Sequence, residues 1–413
     1  MRAMKDSGVE WIGEIPEGWN VVANKYLMHK EKVICPVYHG EPIISLTMDG
    51  VIERDLDAGG KMPSSFDGYQ CIHAGNLLLC LFDIDVTPRC VGLSSLDGLT
   101  SPAYSQFIVD GDNDAKFYFY YYLAVDNDKV LVHLTKNMRY ALNVDEFGAI
   151  KAPQPPLDEQ RRIADYLDAR CADIDAVSQK VRSEIDLLGE CRKSVIYEAV
   201  TKGLDKGVPM RDSGIEWVGE MPEGWDTLKG KYVLTLLQRS VRPDDGVITC
   251  FRDGEVTLRS NRREDGFTMA DREIGYQGIN AGDLVIHGMD GFAGAIGISD
   301  SRGKGSPVLI VLDSEQNKRY LMYYIRCMAM CKVFEALSTG IRVRSCDLSW
   351  QKLANLPFPI PPLDEQRRIA DYLDARCADI DAVIAKKRQQ LDVLADYRKS
   401  LIYEYVTGKR EVA

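Results

Sequence analysis

A long repeat is the feature that most limits how this chain can fold. Residues 155–177 and residues 361–383 carry the same 23 letters, PPLDEQRRIADYLDARCADIDAV, at an offset of 206. At that offset, MKDSGVEWIGEIPEGW at 4–19 matches MRDSGIEWVGEMPEGW at 210–225 in 12 of 16 positions. Similarity of this length excludes chance, so the chain consists of two copies of one unit.

The stretches between the repeated blocks, residues 20–152 and 226–358, have diverged. They retain little in common beyond short pieces such as Gly-Tyr-Gln at 68–70 and 275–277. One ancestral fold with altered surfaces gives this pattern. A molecule whose two copies do the same job on different targets gives it as well.

The diverged stretches carry signals for short strands and turns. Asp-Gly pairs at 49–50 and 253–254 lie between β-rich runs, which predicts a hairpin in each copy. The apolar runs that follow Gly75 and Gly282 predict short buried strands.

Both diverged stretches also contain an apolar segment long enough for a helix. Residues 116–125 and 318–334 predict apolar helices, although the aromatic residues of the first segment also suit a strand. We therefore expect a mixed α/β (α+β) class, with two similar globular domains on a pseudo-two-fold repeat.

The segment after each 23-residue block predicts a long helix with a coiled-coil seam. Its apolar residues recur at spacings of three and four. Asp158 is the candidate N-cap, and Gly203 and Gly408 are candidate stops. A helix of about 44 residues, or roughly 66 Å, needs a partner helix. The other copy supplies one, so we expect an antiparallel pair. The predicted coiled-coil and partner-binding positions are Leu167, Ile174, Val181, Leu188, Leu373, Ile380, Leu391 and Leu394.

The sequence lacks the common motifs of catalysis. It contains no phosphate-binding loop, no His-Glu-x-x-His pair and no Gly-x-Ser-x-Gly turn, so we expect no catalytic residue and no bound metal. The 11 cysteines show no Cys-x-x-Cys spacing. Neither a membrane-length apolar run nor a secretory signal occurs, and we expect a reduced, cytoplasmic protein.

The net charge of −11 argues against nucleic-acid binding, but the charge is unevenly distributed. Residues 226–358 contain 18 basic and 16 acidic residues, whereas residues 20–152 contain 11 and 17. An arginine cluster in the second copy suits phosphate or guanine contacts, and solvated loop charge is an equal alternative. The candidate DNA-binding residues are Lys136, Asn137 and Arg139 in the first copy and Arg252, Arg259, Arg262, Arg342 and Arg344 in the second.

The repeated combination of SGVEWIGEIPEGW, a variable block, PPLDEQRRIADYLD and a long helix resembles the specificity subunits of type I restriction–modification systems. The resemblance covers the whole chain. It implies two target recognition domains that each read one half of a bipartite, asymmetric DNA site, with the paired helices as a spacer. It also implies a subunit that catalyses nothing and holds no cofactor. Two modification subunits would use S-adenosylmethionine to methylate adenine N6, and two motor–nuclease subunits would use ATP and Mg²⁺.

The resemblance also assigns the segments of the chain. Residues 1–152 would form the first target recognition domain, and residues 153–209 a central conserved region with a spacer helix. Residues 210–358 would form the second target recognition domain, and residues 359–413 a C-terminal conserved region with the other spacer helix.

A second interpretation belongs to another functional class. The chain could be a scaffold that binds no DNA, with the coiled coil binding partner helices and the variable domains binding proteins. A salt-sensitive, sequence-dependent gel shift in the presence of a modification subunit separates the two interpretations.

Overall fold

The structure of the chain is a computed structural model that describes residues 2–58, 63–135, 139–262, 274–337 and 348–412. The chain divides into two compact units. The first comprises Met1–Val181 and Arg388–Ala413, and the second comprises Arg182–Lys387. Each unit therefore contains one diverged stretch together with a segment of each long helix.

The first unit is built of short strands and helices. Its strands are β1 (Met4–Asp6), β2 (Glu14–Pro16), β3 (Asn20–Ala23), β4 (Met28–Glu31), β5 (Val33–Ile34), β6 (Ile43–Thr47), β7 (Gly50–Glu53), β8 (Gln70–Ile72), β9 (Leu77–Leu79), β10 (Val91–Leu93), β11 (Gly98–Thr100), β12 (Ser105–Val109) and β13 (Lys151–Gln154). Its helices are α1 (Ala115–Asn127), α2 (Val130–Leu134), α3 (Val144–Ala149) and the first part of α4 (Leu157–Lys202).

Two sheets organise the first unit. One is antiparallel, in the order β10-β9-β12-β4, and the other runs β5-β8-β11-β6-β7, with β11 parallel to β6. The aromatic helix α1 is buried in the main core, which also contains strand β9 and the start of α4. Burial of apolar surface in this core is the dominant stabilising contribution.

The second unit keeps an antiparallel four-stranded sheet, but its other described strands form two-stranded sheets in place of the five-stranded one. Its strands are β14 (Met210–Asp212), β15 (Glu220–Pro222), β16 (Asp226–Lys229), β17 (Thr235–Leu236), β18 (Ile248–Cys250), β19 (Val256–Leu258), β20 (Gln277–Ile279), β21 (Leu284–His287), β22 (Ile296–Ile298), β23 (Gly303–Gly305), β24 (Leu309–Asp313) and β25 (Pro357–Ile360). Its helices are α5 (Gly230–Val233), α6 (Lys318–Met330), α7 (Val333–Ala336), α8 (Trp350–Asn355) and α9 (Leu363–Val406), which ends in the first unit. The largest sheet runs β17-β24-β21-β22.

The short elements follow the sequence prediction with two corrections. The predicted hairpins are confirmed as β6–β7 and β18–β19, and the predicted buried strands as β9 and β21. The segment 116–125 is helical, so the alternative of a strand is wrong. The predicted helix 318–334 is interrupted, because Lys332 has a left-handed backbone (φ +58°) between α6 and α7.

The two long helices are confirmed, with 46 residues in α4 and 44 in α9. The expected N-cap at Asp158 is wrong, because α4 begins at Leu157 and places Asp158 in its first turn. There its carboxylate favourably meets the positive end of the helix dipole. Gly203 follows the last residue of α4 in a left-handed conformation (φ +74°), as the predicted stop requires.

The long helices pack antiparallel within each unit. Residues later in α4 contact residues earlier in α9, which confirms the predicted antiparallel orientation within each unit. The contacts are Tyr166 with Tyr405 and Asp175 with Arg398 in the first unit, and Glu184 with Lys387 and Arg192 with Asp381 in the second.

The predicted seam positions are all buried or half-buried, and Leu167, Ile174 and Leu373 belong to the cores of their units. Leu167, Ile174, Val181, Leu373 and Ile380 are buried, and Leu188, Leu391 and Leu394 are half-buried. Three cationic residues also lie between the helices, and each forms an ion pair with a carboxylate of the opposite helix: Arg192, Lys387 and Arg398. Such pairs give the seam a register that apolar residues alone do not specify.

The two kinds of repeated block meet at the start of each long helix. The indole N–H of Trp19 donates to Glu159 at 3.0 Å, and that of Trp225 donates to Glu365 at 3.1 Å. Burial raises the pKa of Glu159, but hydrogen bonds from Arg2 and Trp19 outweigh burial and lower the pKa overall. The carboxylate is therefore charged when it accepts these bonds.

A second contact, between two and three turns further along each long helix, joins it to the aromatic helix of the same unit. Asp168 accepts from the hydroxyl of Tyr120 at 2.7 Å and from Lys116 at 2.5 Å. In the second unit, Asp374 accepts from the hydroxyl of Tyr323 at 2.8 Å and from Arg319. The diverged stretch of each unit is thereby fixed to the repeated helix.

We predict opposite effects on stability for substitutions at a glycine within α4 and at the glycine that follows it. Gly189 lies within the helix, and a Cβ there would meet no atom within 4 Å, so Gly189→Ala should stabilise the protein by about 0.5–1 kcal/mol. Gly203 has φ +74°, and a Cβ there would lie 2.9 Å from Glu365 Oε1. Gly203→Ala should destabilise it by about 1–2 kcal/mol. Urea unfolding midpoints measure both variants, and shifts in the same direction would contradict this assignment.

Candidate nucleic-acid interface

The hairpin β18–β19 carries the arginine cluster of the second unit. Its turn contains Gly254 with φ +90°, and the carboxylate of Asp253 accepts from the backbone N–H of Glu255 at 3.1 Å. The Asp-Gly turn thus fixes the hairpin locally. It places Arg252 in the turn and Arg259 and Arg262 just beyond β19.

The structure brings these three arginines to one open cavity of about 500 Å³. Its walls are formed by β18, the hairpin turn, the segment after β19, the end of β21 with the loop that follows it, and the start of β24. The charged, hydroxyl and aromatic residues lining it are Thr249, Phe251, Arg252, Asp253, Arg259, Arg262, His287, Asp290 and Ser306. A concave surface with several cationic forks suits the edge of a base or a phosphate group.

Carboxylates already contact two of these arginines. Arg252 pairs with Asp290 at 2.8 Å, and Arg262 pairs with Asp253 at 2.7 Å and Glu255 at 3.0 Å. The guanidinium of Arg262 also lies 4.2 Å from the ring centre of Phe251. These contacts orient the side chains and reduce the positive potential of the cavity.

His287 is a residue of this cavity that the sequence analysis did not select. Its Nδ1 accepts from the backbone N–H of Asp290 at 3.0 Å. Burial lowers the pKa of the imidazole below its usual 6.5, against the opposing effect of Asp290. The neutral ring therefore carries its proton on Nε2. A lone histidine at the end of a strand gives no sequence signal for this placement.

The hairpin of the first unit has a different surface. Its tip exposes Met48, and Ile52 on β7 is also exposed. Arg89 supports this hairpin by donating to the backbone carbonyl of Met48 at 2.8 Å. In the second unit Arg326 lies against Gly254 and donates to the carbonyl of Ile296 at 2.8 Å. Equivalent hairpins are thus supported by arginines from different elements.

The remaining predicted DNA-binding residues are placed only in part. Arg139 is exposed in the first unit, where its backbone carbonyl accepts from Asp83 at 3.3 Å. Lys136, Asn137, Arg342 and Arg344 lie outside the described residues. A role in DNA binding stays a prediction for every residue of this set.

The predicted partner-binding positions lie in the seam of the helices, whereas a partner would contact their solvent-exposed side, here called the outer face. The seam residues are covered within the chain, so a partner cannot contact the fully buried ones directly. The outer face exposes an apolar pair at equivalent positions of the 23-residue blocks: Val177 is 45% exposed and Val383 is 42% exposed. Leu187 and Val393, also 206 residues apart, are exposed as well.

Neither a metal site nor a membrane-spanning helix occurs in the part of the chain that the structure describes. Over those ranges, no group of three or more His, Cys, Asp or Glu side chains is arranged to hold a metal ion. No helix in the described part of the chain combines the length and apolar composition needed to cross a membrane.

Comparison with known sequences identifies a family signal and several relatives. Residues 278–392 match the family model described as type I restriction modification DNA specificity domain. The type I restriction enzyme MjaVIII specificity subunit of Methanocaldococcus jannaschii is 26% identical over 64% of the chain and 63% of its own length. The putative MjaX specificity subunit of that organism is 25% identical over 66% and 62%. The chain therefore spans less than two thirds of the length of these curated relatives.

Two further comparisons extend to a bacterial relative and to solved structures. The EcoKI specificity subunit of Escherichia coli K12 is 24% identical over 46% of the chain and 44% of its own length. A chain from a structure of a type I R-M system, described for its assembly and conformational transition, superposes with a TM-score of 0.69 at 16% identity, covering 96% of this chain and 99% of that one. The HsdS subunit from Thermoanaerobacter tengcongensis gives 0.51 at 16% identity, over 96% and 98%. These structures share the fold.

Proposed function

Because the chain belongs to the specificity subunits of type I restriction–modification systems, we propose that it is the DNA-reading subunit of such an enzyme. Its diverged stretches are target recognition domains, and each reads one half of a bipartite, asymmetric site. The chain catalyses nothing itself and directs adenine N6 methylation and DNA cleavage by partner subunits. The observation that carries this proposal is one repeated frame that presents two hairpins of different chemistry.

Sequence-dependent DNA binding tests this proposal directly. The full chain, assembled with its modification subunits, should shift a duplex that carries its target at lower concentration than a duplex of arbitrary sequence. Both affinities should fall steeply with salt, because phosphate contacts release counterions. Equal affinity for the two duplexes would favour the scaffold interpretation instead.

The proposed partners are two modification subunits, which hold S-adenosylmethionine, and two motor–nuclease subunits, which use ATP and Mg²⁺. Two copies of one partner need the same surface twice. The identical 23-residue blocks provide such surfaces on α4 and α9. Val177 and Val383 supply the same exposed apolar contact on each.

Changing the outer face should affect assembly without affecting the fold. Val177→Asp combined with Val383→Asp places charges where we propose an apolar contact, so the complex with two modification subunits should be lost on a sizing column. Val177→Leu combined with Val383→Leu keeps the contact apolar and should retain the complex. An intact complex with the aspartate variant would contradict this docking surface.

The arginines of the second hairpin supply the proposed base contacts of one half-site. Arg252 and Arg259 line the cavity with guanidinium groups, which can donate two hydrogen bonds to the edge of a guanine. The ion pairs of Arg262 with Asp253 and Glu255 give it a second role, because they also hold the turn.

Loss of a base contact should relax one half-site only. Arg252→Ala should reduce discrimination at one base pair by about 1–3 kcal/mol, and methylome sequencing should show a degenerate position in a single half. Arg388→Ala, at an exposed position of α9 outside the 23-residue block, is the control and should leave the motif unchanged. An unchanged motif and affinity for Arg252→Ala would remove Arg252 from the interface.

A further inference from the structure

A two-residue identity survives at the start of the diverged stretches. At the offset of 206, residues 20–33 and 226–239 agree at only two adjacent positions. Lys25-Tyr26 in the first copy corresponds to Lys231-Tyr232 in the second.

The two pairs have the same geometry. The ammonium of Lys25 lies 5.1 Å from the ring centre of Tyr26, and that of Lys231 lies 4.9 Å from that of Tyr232. Tyr26 is 67% exposed and Tyr232 is 70% exposed. Core packing therefore does not explain why these residues are the same in both copies.

The residue before each Lys-Tyr pair packs closely against the rest of its unit. In the first unit the preceding Asn24 is buried and donates to the carbonyl of Phe147 at 2.8 Å. In the second unit Gly230 takes that position and approaches α8 so closely that a Cβ would lie 2.5 Å from the carbonyl oxygen of Leu353. Different contacts thus maintain the same exposed turn.

The cations of these pairs differ from the arginines of the hairpin. Over the described ranges, neither Lys25 nor Lys231 has a carboxylate within ion-pair distance, whereas Arg252 and Arg262 are already paired. In each pair the exposed lysine ammonium offers three hydrogen-bond donors, and the hydroxyl of the neighbouring exposed tyrosine offers one. Lysine and tyrosine are both frequent donors to phosphate oxygens at DNA interfaces.

We propose that Lys25-Tyr26 and Lys231-Tyr232 are equivalent binding sites for the sugar–phosphate backbone of DNA, one for each half-site. This inference rests on the proposed function. A surface that is the same in both units cannot distinguish two different half-sites, so it contacts what the halves have in common. The backbone is common to all DNA sequences, and an unpaired lysine is suited to it. These sites would also provide local attraction in a first unit whose diverged stretch is acidic.

The salt dependence of binding to arbitrary DNA tests this proposal. The probe is a labelled duplex of arbitrary sequence, and the protein is the full chain assembled with its modification subunits. Lys25→Ala combined with Lys231→Ala should make the slope of log K against log salt less steep by about 1.8, since each lost phosphate contact removes about 0.9. Lys25→Arg combined with Lys231→Arg should restore the slope, because arginine also binds phosphate.

The chain offers a matched control for this variant. Lys180 and Lys386 are exposed, lie on the long helices and are also 206 residues apart. Lys180→Ala combined with Lys386→Ala removes the same charge and should change the slope little. Tyr26→Phe combined with Tyr232→Phe keeps both rings and should weaken binding at every sequence equally.

Three results would overturn the proposal. The first is a slope for the Lys25/Lys231 variant equal to that of the control. The second is loss of assembly with the modification subunits at an unchanged slope, which would make the pairs a protein-docking surface. The third is a change in the methylated motif. The proposed function fails separately, if the wild-type assembly does not prefer its target duplex over arbitrary DNA.

Discussion

The contact between a buried tryptophan and the first turn of a long helix is the interaction on which each unit depends. It joins two blocks that are 140 residues apart in sequence: Trp19 donates to Glu159 in the first unit, and Trp225 donates to Glu365 in the second. A hydrogen bond to a charged group contributes about 1.5–3 kcal/mol. Because the two blocks form one structural joint, both must be retained together. Of the residues between the blocks, those that pack against the joint are constrained, as Phe117 is against Trp19 and Tyr320 against Trp225. Those on the surface, away from the joint, are free to diverge.

The fold was predictable to the extent that periodicity and turn chemistry determine it locally. The helix lengths, the antiparallel contacts within each unit, the hairpins and the stop at Gly203 followed from such local signals. Asp158 was misplaced as the N-cap by two residues, because α4 begins at Leu157, which makes Pro156 the N-cap position and puts Asp158 in the first turn. The break between α6 and α7 was missed, because a lysine with φ +58° has no signature in the sequence.

The candidate site was predictable only as a set of residue types. The arginines of the second hairpin were predicted from the sequence. Their carboxylate partners were not, because those contacts depend on the tertiary fold. Asp290 forms an ion pair with Arg252, which is 38 residues away in the sequence. His287 lines the cavity because β21 ends there. The Lys-Tyr pairs are visible in the sequence as an isolated identity at the repeat offset. A match of two residues suggests a function only once the structure shows that both pairs are exposed. The net charge of the chain argues against DNA binding. The local arrangement of cations that lack a carboxylate partner is a better guide to where DNA could bind.

The central claim is that one repeated frame carries two recognition surfaces that act independently. Replacing residues 226–358 with the corresponding stretch of another specificity subunit, followed by methylome sequencing with the native modification subunit, tests it most directly. Our account predicts that one half-site changes while the other half-site and the gap between them stay as they were. A change in both half-sites, or in the gap, would contradict it.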